Sequence, residues 1–144
     1  MVNDTDSGQK DTPVIMGKSG NNPLNIRYSA SNNWKGQIGK SAKGFAIFDT
    51  MVNGLRASFI NLRTYHKRGI TTIRKIVYTW APVADNNPNN ENYIAYIVSK
   101  SGLNADKELV FDFETYSKVV KYMAYFESNY TPTDNELLQA WEQI

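Results

Sequence analysis

Asn22-Pro23-Leu24-Asn25-Ile26-Arg27, then Trp34-Lys35-Gly36-Gln37 and Gly44-Phe45-Ala46-Ile47-Phe48, decide how the rest of this chain is read. Short apolar alternations here carry Asn, Arg, Trp and Gln between them. The alternation predicts strands over 24–28, 36–40 and 44–48, with turns over 29–33 and 40–44. Such a β-element presents amide and guanidinium groups beside an indole. That surface suits a polar, ring-shaped ligand such as a sugar.

Working outward, the period changes from two to that of a helix. Asp49 or Thr50 can cap a helix reaching about Arg68, with Val52, Leu55, Phe59, Leu62 and Tyr65 on one face and Gly69 ending it. Thr71 or Thr72 caps a second, carrying Ile73, Ile76, Val77 and Trp80 until Pro82 stops it. A loop rich in Asn over 85–90 leads to a third helix from about Glu91 to Lys100, ended by Gly102. Asp112 or Thr115 begins a fourth, reaching about Ser128, and Thr133-x-x-Glu136 is a capping-box pattern for a fifth. The expected fold class is α+β: a small N-terminal β-element followed by about five helices. One domain is expected over 21–144, after a polar, mobile tail over 1–20.

Composition narrows the function. A chain of 144 residues, 41% hydrophobic, can bury a real core. It has no cysteine, so disulfides and thiolate metal sites are excluded. Its one histidine, His66, reads as a solvated residue at a helix C-terminus and leaves no cluster for zinc. No metal or cofactor is expected. A net charge of +2 commits the protein to no polyanion. Arg56, Arg63, Lys67, Arg68, Arg74 and Lys75 fall around two helices whose other faces are apolar, which reads as a solvated surface rather than a nucleic-acid interface. No apolar run reaches the roughly 18 residues of a membrane span, and the first twenty residues lack the apolar core of a signal peptide.

Among the carboxylates, Glu127 stands apart. Met123, Val120 and Tyr116 precede it at steps of four, seven and eleven along the fourth helix, so Glu127 continues the buried stripe. A carboxyl beside Met123, Phe126 and Tyr130 is expected to be partly desolvated, which favours its protonated form. Glycosidic cleavage needs such a group, because the leaving oxygen must receive a proton. The competing reading is a glutamate at the edge of an amphipathic helix that reaches water.

The Asn-Pro-x-Asn-Ile-Arg, Trp-x-Gly-Gln and Trp80-Ala81-Pro82 motifs resemble a family of small phage-encoded virion proteins with a lysozyme-like fold, several of them peptidoglycan-cleaving. The resemblance covers most of residues 20–130. Phe126-Glu127-Ser128-Asn129-Tyr130-Thr131-Pro132 is similar to the glutamate-serine motif of lytic transglycosylases, in which a helix ends in the catalytic glutamate. Glu91 to Val98 looks like the later segment of those enzymes, where a helical tyrosine lines the sugar cleft. In them the glutamate motif comes first and the polar β-element follows. The order here is reversed, as a circularly permuted chain would have it. After Trp-Ala-Pro the family carries Glu-Asn, whereas this chain has Asp85-Asn86.

The resemblance implies roles. Glu127 would be the catalytic acid and later the base. Asn25, Arg27 and Gln37 would hydrogen-bond acetamido and hydroxyl groups, Tyr93 would position the sugar, Trp34 or Trp80 would stack on a ring, and Asp85 would complete the substrate site. With no strong second carboxylate beyond Asp49 and Asp85, a single-acid mechanism fits better than hydrolysis by a pair. The expectation is a lytic transglycosylase acting on peptidoglycan glycan strands at the MurNAc–GlcNAc bond, carried in a virion with other virion proteins or held in the host cytoplasm until release. The alternative is a catalytically inactive virion structural or glycan-binding protein of the same fold.

Overall fold

The computed structural model describes residues 17–82 and 89–144. A short 3-10 helix over Gly17–Gly20 comes first, with Gly17 and Gly20 buried. This helix falls within the segment expected to be a tail. Next come strands β1 (Gln37–Lys40) and β2 (Ala46–Phe48), then helices α1 (Met51–Lys67), α2 (Ile73–Trp80), α3 (Asn90–Ser101), α4 (Phe113–Ser128) and α5 (Asp134–Trp141). This is an α+β fold, a small sheet followed by helices.

The sheet is a two-stranded antiparallel pair, Gln37 opposite Phe48 and Lys40 opposite Ala46, with an irregularity between Gln37 and Gly39. The residue between them, Ile38, is 68% exposed, as expected where an extra residue bulges out of the ladder. The third strand expected over 24–28 does not form. Only Arg27 bridges to Phe45, because Asn25 adopts φ +54° and so interrupts the extended backbone. Asn22 takes over the work of a strand. Fully buried, its amide donates to the carbonyls of Ile26 (2.9 Å) and Ala46 (2.8 Å) and accepts from the Ile26 N–H (2.9 Å). One side chain thus satisfies backbone groups on the loop and on β2 that no ladder reaches.

Helix boundaries follow local chemistry. Thr50, Thr72 and Asp112 each accept from a backbone N–H in the first turn of α1, α2 and α4. Thr133 and Glu136 close a reciprocal capping box on α5. Gly102 and Asn129 end α3 and α4 in the left-handed conformation.

α1 is the central element, packing against α5, α4 and β2, while α3 lies against α4 and α2. Leu55, Phe59 and Leu62 on α1 are fully buried and join Ile73, Ile76, Ile97, Val120 and Met123 in the main core. Burying each such large aliphatic or aromatic side chain is worth about 1.5–3 kcal/mol. A smaller cluster of Ile26, Ala46, Phe48 and Ala57 joins the β-element to α1, with Trp34 and Trp80 packed on it. His66 departs from its expected exposure: half-buried, its Nδ1 lies 3.0 Å from the Tyr116 hydroxyl, with Phe111 beside the ring. Among the described residues no helix is long and apolar enough to cross a membrane.

Candidate functional site

A cleft of about 410 Å³ opens where the β-element meets the helices. The 25–27 loop supplies Asn25, Ile26 and Arg27, with Asn32 and Phe45 beside them; α1 supplies Asn61 and Tyr65; the end of α2 supplies Thr79, Trp80, Ala81 and Pro82; and α4 supplies Glu127. The volume lies in the usual range for a small-ligand site.

Glu127 enters this cleft from the last turn of α4. The stripe that leads to it, Tyr116, Val120 and Met123, is fully buried. Its carboxylate accepts a 3.1 Å hydrogen bond from the Asn25 amide, and the same nitrogen lies 3.3 Å from the Glu127 backbone carbonyl. Burial raises the pKa of Glu127, and the polar groups of Asn25 and Tyr93 draw it part of the way back. Among the described residues that line the cleft, it is the one carboxylate.

Two further contacts hold the α4 terminus to the loop and to the 3-10 helix before it. The Ser128 hydroxyl donates to the Pro23 carbonyl at 2.7 Å. Gly17 packs so closely on Ser128 that an added Cβ would stand 2.6 Å from the hydroxyl oxygen.

Tyr93 belongs to this site but does not face the open cleft. It is 1% exposed and stacked on Phe126 with ring centroids 4.2 Å apart. Its hydroxyl makes no hydrogen bond of good geometry, yet it lies near enough to Glu127 for each to shift the other. Burial first, and the Glu127 charge second, push the phenol well above its usual range. Tyr93 thus neighbours Glu127 and is not among the residues that line the cleft.

Arg27 lines the cleft with its guanidinium 5.1 Å above the Phe45 ring. Trp80 is part core and part cleft wall. Its indole N–H donates to the Leu24 carbonyl at 2.8 Å, and one edge meets Tyr65 at 5.7 Å while the side chain still lines the cleft.

Trp34 and Gln37 are not among the residues lining the cleft. Trp34 packs on the small core cluster. The Gln37 amide nitrogen lies 3.4 Å from the Asn32 carbonyl, while its amide oxygen and the Trp34 indole nitrogen are buried without partners. Asp85 lies outside the described residues. Asp49, the other carboxylate weighed, is exposed and accepts from the Asn53 amide at 2.9 Å, away from the cleft.

Asn61 and Thr79 at the cleft wall have no counterpart among the expected site residues, while Tyr65 packs against the main core as its helical stripe predicts and also lines the cleft. Asn61 and Tyr65 are four residues apart on α1, so one helical face carries both toward the cleft. A polar residue one turn before an aromatic at the border of the apolar stripe was the available signal. Of the cations considered for nucleic acid, Arg74 is tied to Glu91 (2.9 Å) and Asp106 (2.8 Å), and Arg56 donates to the Gln143 carbonyl (3.0 Å).

Fold and site together describe an α+β domain with a polar cleft and one desolvated acid at the end of a helix. No family model matches the sequence. The chain is similar to protein P5 of Pseudoalteromonas phage PM2, with 34% identity over 134 residues, covering 90% of this chain and 81% of that protein. It belongs to the family of that bacteriophage protein.

Proposed function

We propose that this protein is a peptidoglycan-cleaving lytic transglycosylase with a circularly permuted lysozyme-like fold. The observation that carries the reading is the placement of Glu127, a desolvated carboxyl at the meeting of α4 and the 22–27 loop, facing a cleft of sugar-binding size. Two segments 102 residues apart build that arrangement, as a permuted chain requires. Membership of a bacteriophage protein family is in keeping with a substrate in the bacterial wall.

In this reading the Glu127 carboxyl gives its proton to the glycosidic oxygen between MurNAc and GlcNAc as the bond to the MurNAc anomeric carbon breaks. The 6-hydroxyl oxygen of that MurNAc then bonds to the same carbon, and its proton returns to the Glu127 carboxylate. No water is consumed and one carboxyl suffices. The acid inventory of the described cleft supports this over hydrolysis, where a second carboxylate would activate water or act as nucleophile. Arg27, Asn61, Asn32 and Thr79 supply polar groups along the cleft for acetamido and hydroxyl groups, and Tyr65 and Trp80 supply ring surface.

Mass analysis of muropeptides after incubation with purified peptidoglycan tests the proposal. Products with 1,6-anhydro ends are expected. Reducing ends would make the protein a hydrolase, and an unchanged wall would make it a structural or glycan-binding protein.

A further inference from the structure

Asn25 has an unusual set of commitments for a residue at the edge of a ligand cleft. Its φ of +54° is a left-handed conformation that Asn tolerates better than most residues. The conformation turns the side chain across to α4, where one amide nitrogen meets both the carboxylate and the backbone carbonyl of Glu127. The carbonyl is one of those that a helix leaves unpaired in its last turn. The other end of the amide, Oδ1, is buried, has no partner, and lies near Gly17. The amide nitrogen of Asn25 is thus committed to the α4 terminus.

We propose that Asn25 is a positioning residue that acts through Glu127, its amide aiming the carboxyl group into the cleft and favouring its ionised form. The inference rests on the reading of Glu127 as the acid. It replaces the role of sugar ligand for Asn25. An amide N–H donated to a carboxylate stabilises the charged form, and it does so more strongly where water is displaced. Burial of Glu127 works in the opposite direction, so the two together set where the group titrates. Among the described residues, the remaining titratable neighbours are the Tyr93 phenol from α3 and, lining the cleft, Arg27 from the loop and Tyr65 from α1. α2 contributes Thr79 and Trp80, which carry no charge.

The test is a carbon-13 NMR titration of the Glu127 side-chain carboxyl in the full chain, run on wild type, Asn25→Gly and Asn25→Asp. Glycine accepts the positive φ, so the first variant removes the amide without straining the loop. Loss of the donor is expected to move the Glu127 midpoint upward by about one pH unit. Asn25→Asp should move it further, because a second carboxylate replaces the donor. The alkaline limb of the cleavage rate should shift with the midpoint, with kcat changed more than KM. An unchanged Glu127 midpoint in Asn25→Gly, or a rise in KM alone, would overturn the proposal and return Asn25 to the substrate. The titration reads Glu127 whether or not peptidoglycan is cleaved. A wall left intact by wild type would therefore count against the enzymatic reading, and an unmoved midpoint against this one.

Discussion

The hydroxyl of Ser128 donates a 2.7 Å hydrogen bond to the carbonyl of Pro23, joining residues 105 positions apart. Glu127 precedes one partner and Asn25 follows the other at two residues' distance, so this bond and the Asn25–Glu127 pair form a double clasp. The carboxyl is fixed from both sides of the chain. Loss of Ser128 therefore reaches the acid without touching it. Ser128→Ala should cost about 1–2 kcal/mol by leaving the Pro23 carbonyl without its donor. In the proposed reaction it should lower kcat more than it raises KM. Chemical denaturation and steady-state kinetics on the same preparation would measure both. An unchanged kcat would mean that Ser128 holds the loop but not the acid.

Glu127→Gln preserves the shape of the side chain and an oxygen that can accept from Asn25, but it has no proton to give. Cleavage should fall by at least about a hundredfold, the low end for general acid catalysis. The melting temperature should hold or rise, because a carboxyl disfavoured by burial is replaced by a neutral amide. Turnover at the wild-type rate would remove Glu127 from the mechanism.

The raised pKa of Glu127 gives stability a definite slope with pH. Below the ordinary value of 4.5 the carboxyl is protonated in both folded and unfolded chains and contributes nothing. As pH rises from there the unfolded chain ionises first, so this group makes the fold less stable until pH passes the folded value, where the loss levels off. Denaturation across that window should show wild type losing stability relative to Glu127→Gln. Cleavage should also fall as pH rises through the folded value, because the reaction needs the protonated acid. A rate that climbs steadily into the alkaline range would point to other chemistry.

Gly54 on α1 tests the seam between helix and β-element. An added Cβ would collide with the Asn21 carbonyl oxygen and come within 3.5 Å of the Phe48 ring. Gly54→Ala should cost about 1–3 kcal/mol, lowering the melting temperature by roughly 3–10 °C. Calorimetry measures this directly. A neutral effect would show that the 21–24 loop can retreat from α1.

Much of the architecture was legible because its causes are local. Thr50, Thr72, Asp112 and Thr133 mark the helix starts by bonding to N–H groups within three residues of themselves. The stripes on α1 and α4 gave the buried faces, and the stripe on α4 made Glu127 conspicuous, because helical period alone decides which side chains share a face. What failed was reading residues 24–28 as a strand by alternation. Asn25 reverses its backbone φ and Asn22 replaces ladder pairing with side-chain bonds, neither of which has a periodic signature. Trp34 and Gln37 read as ligand contacts by their chemistry, but Trp34 packs on the small core cluster and neither is among the residues lining the cleft. The encounter of Asn25 with Glu127, the exclusion of Tyr93 from the open cleft and the arrival of Asn61 and Tyr65 at its wall were decided by tertiary structure. Each depends on how helices distant in sequence pack against a short loop, and the free energy of that packing belongs to no single segment.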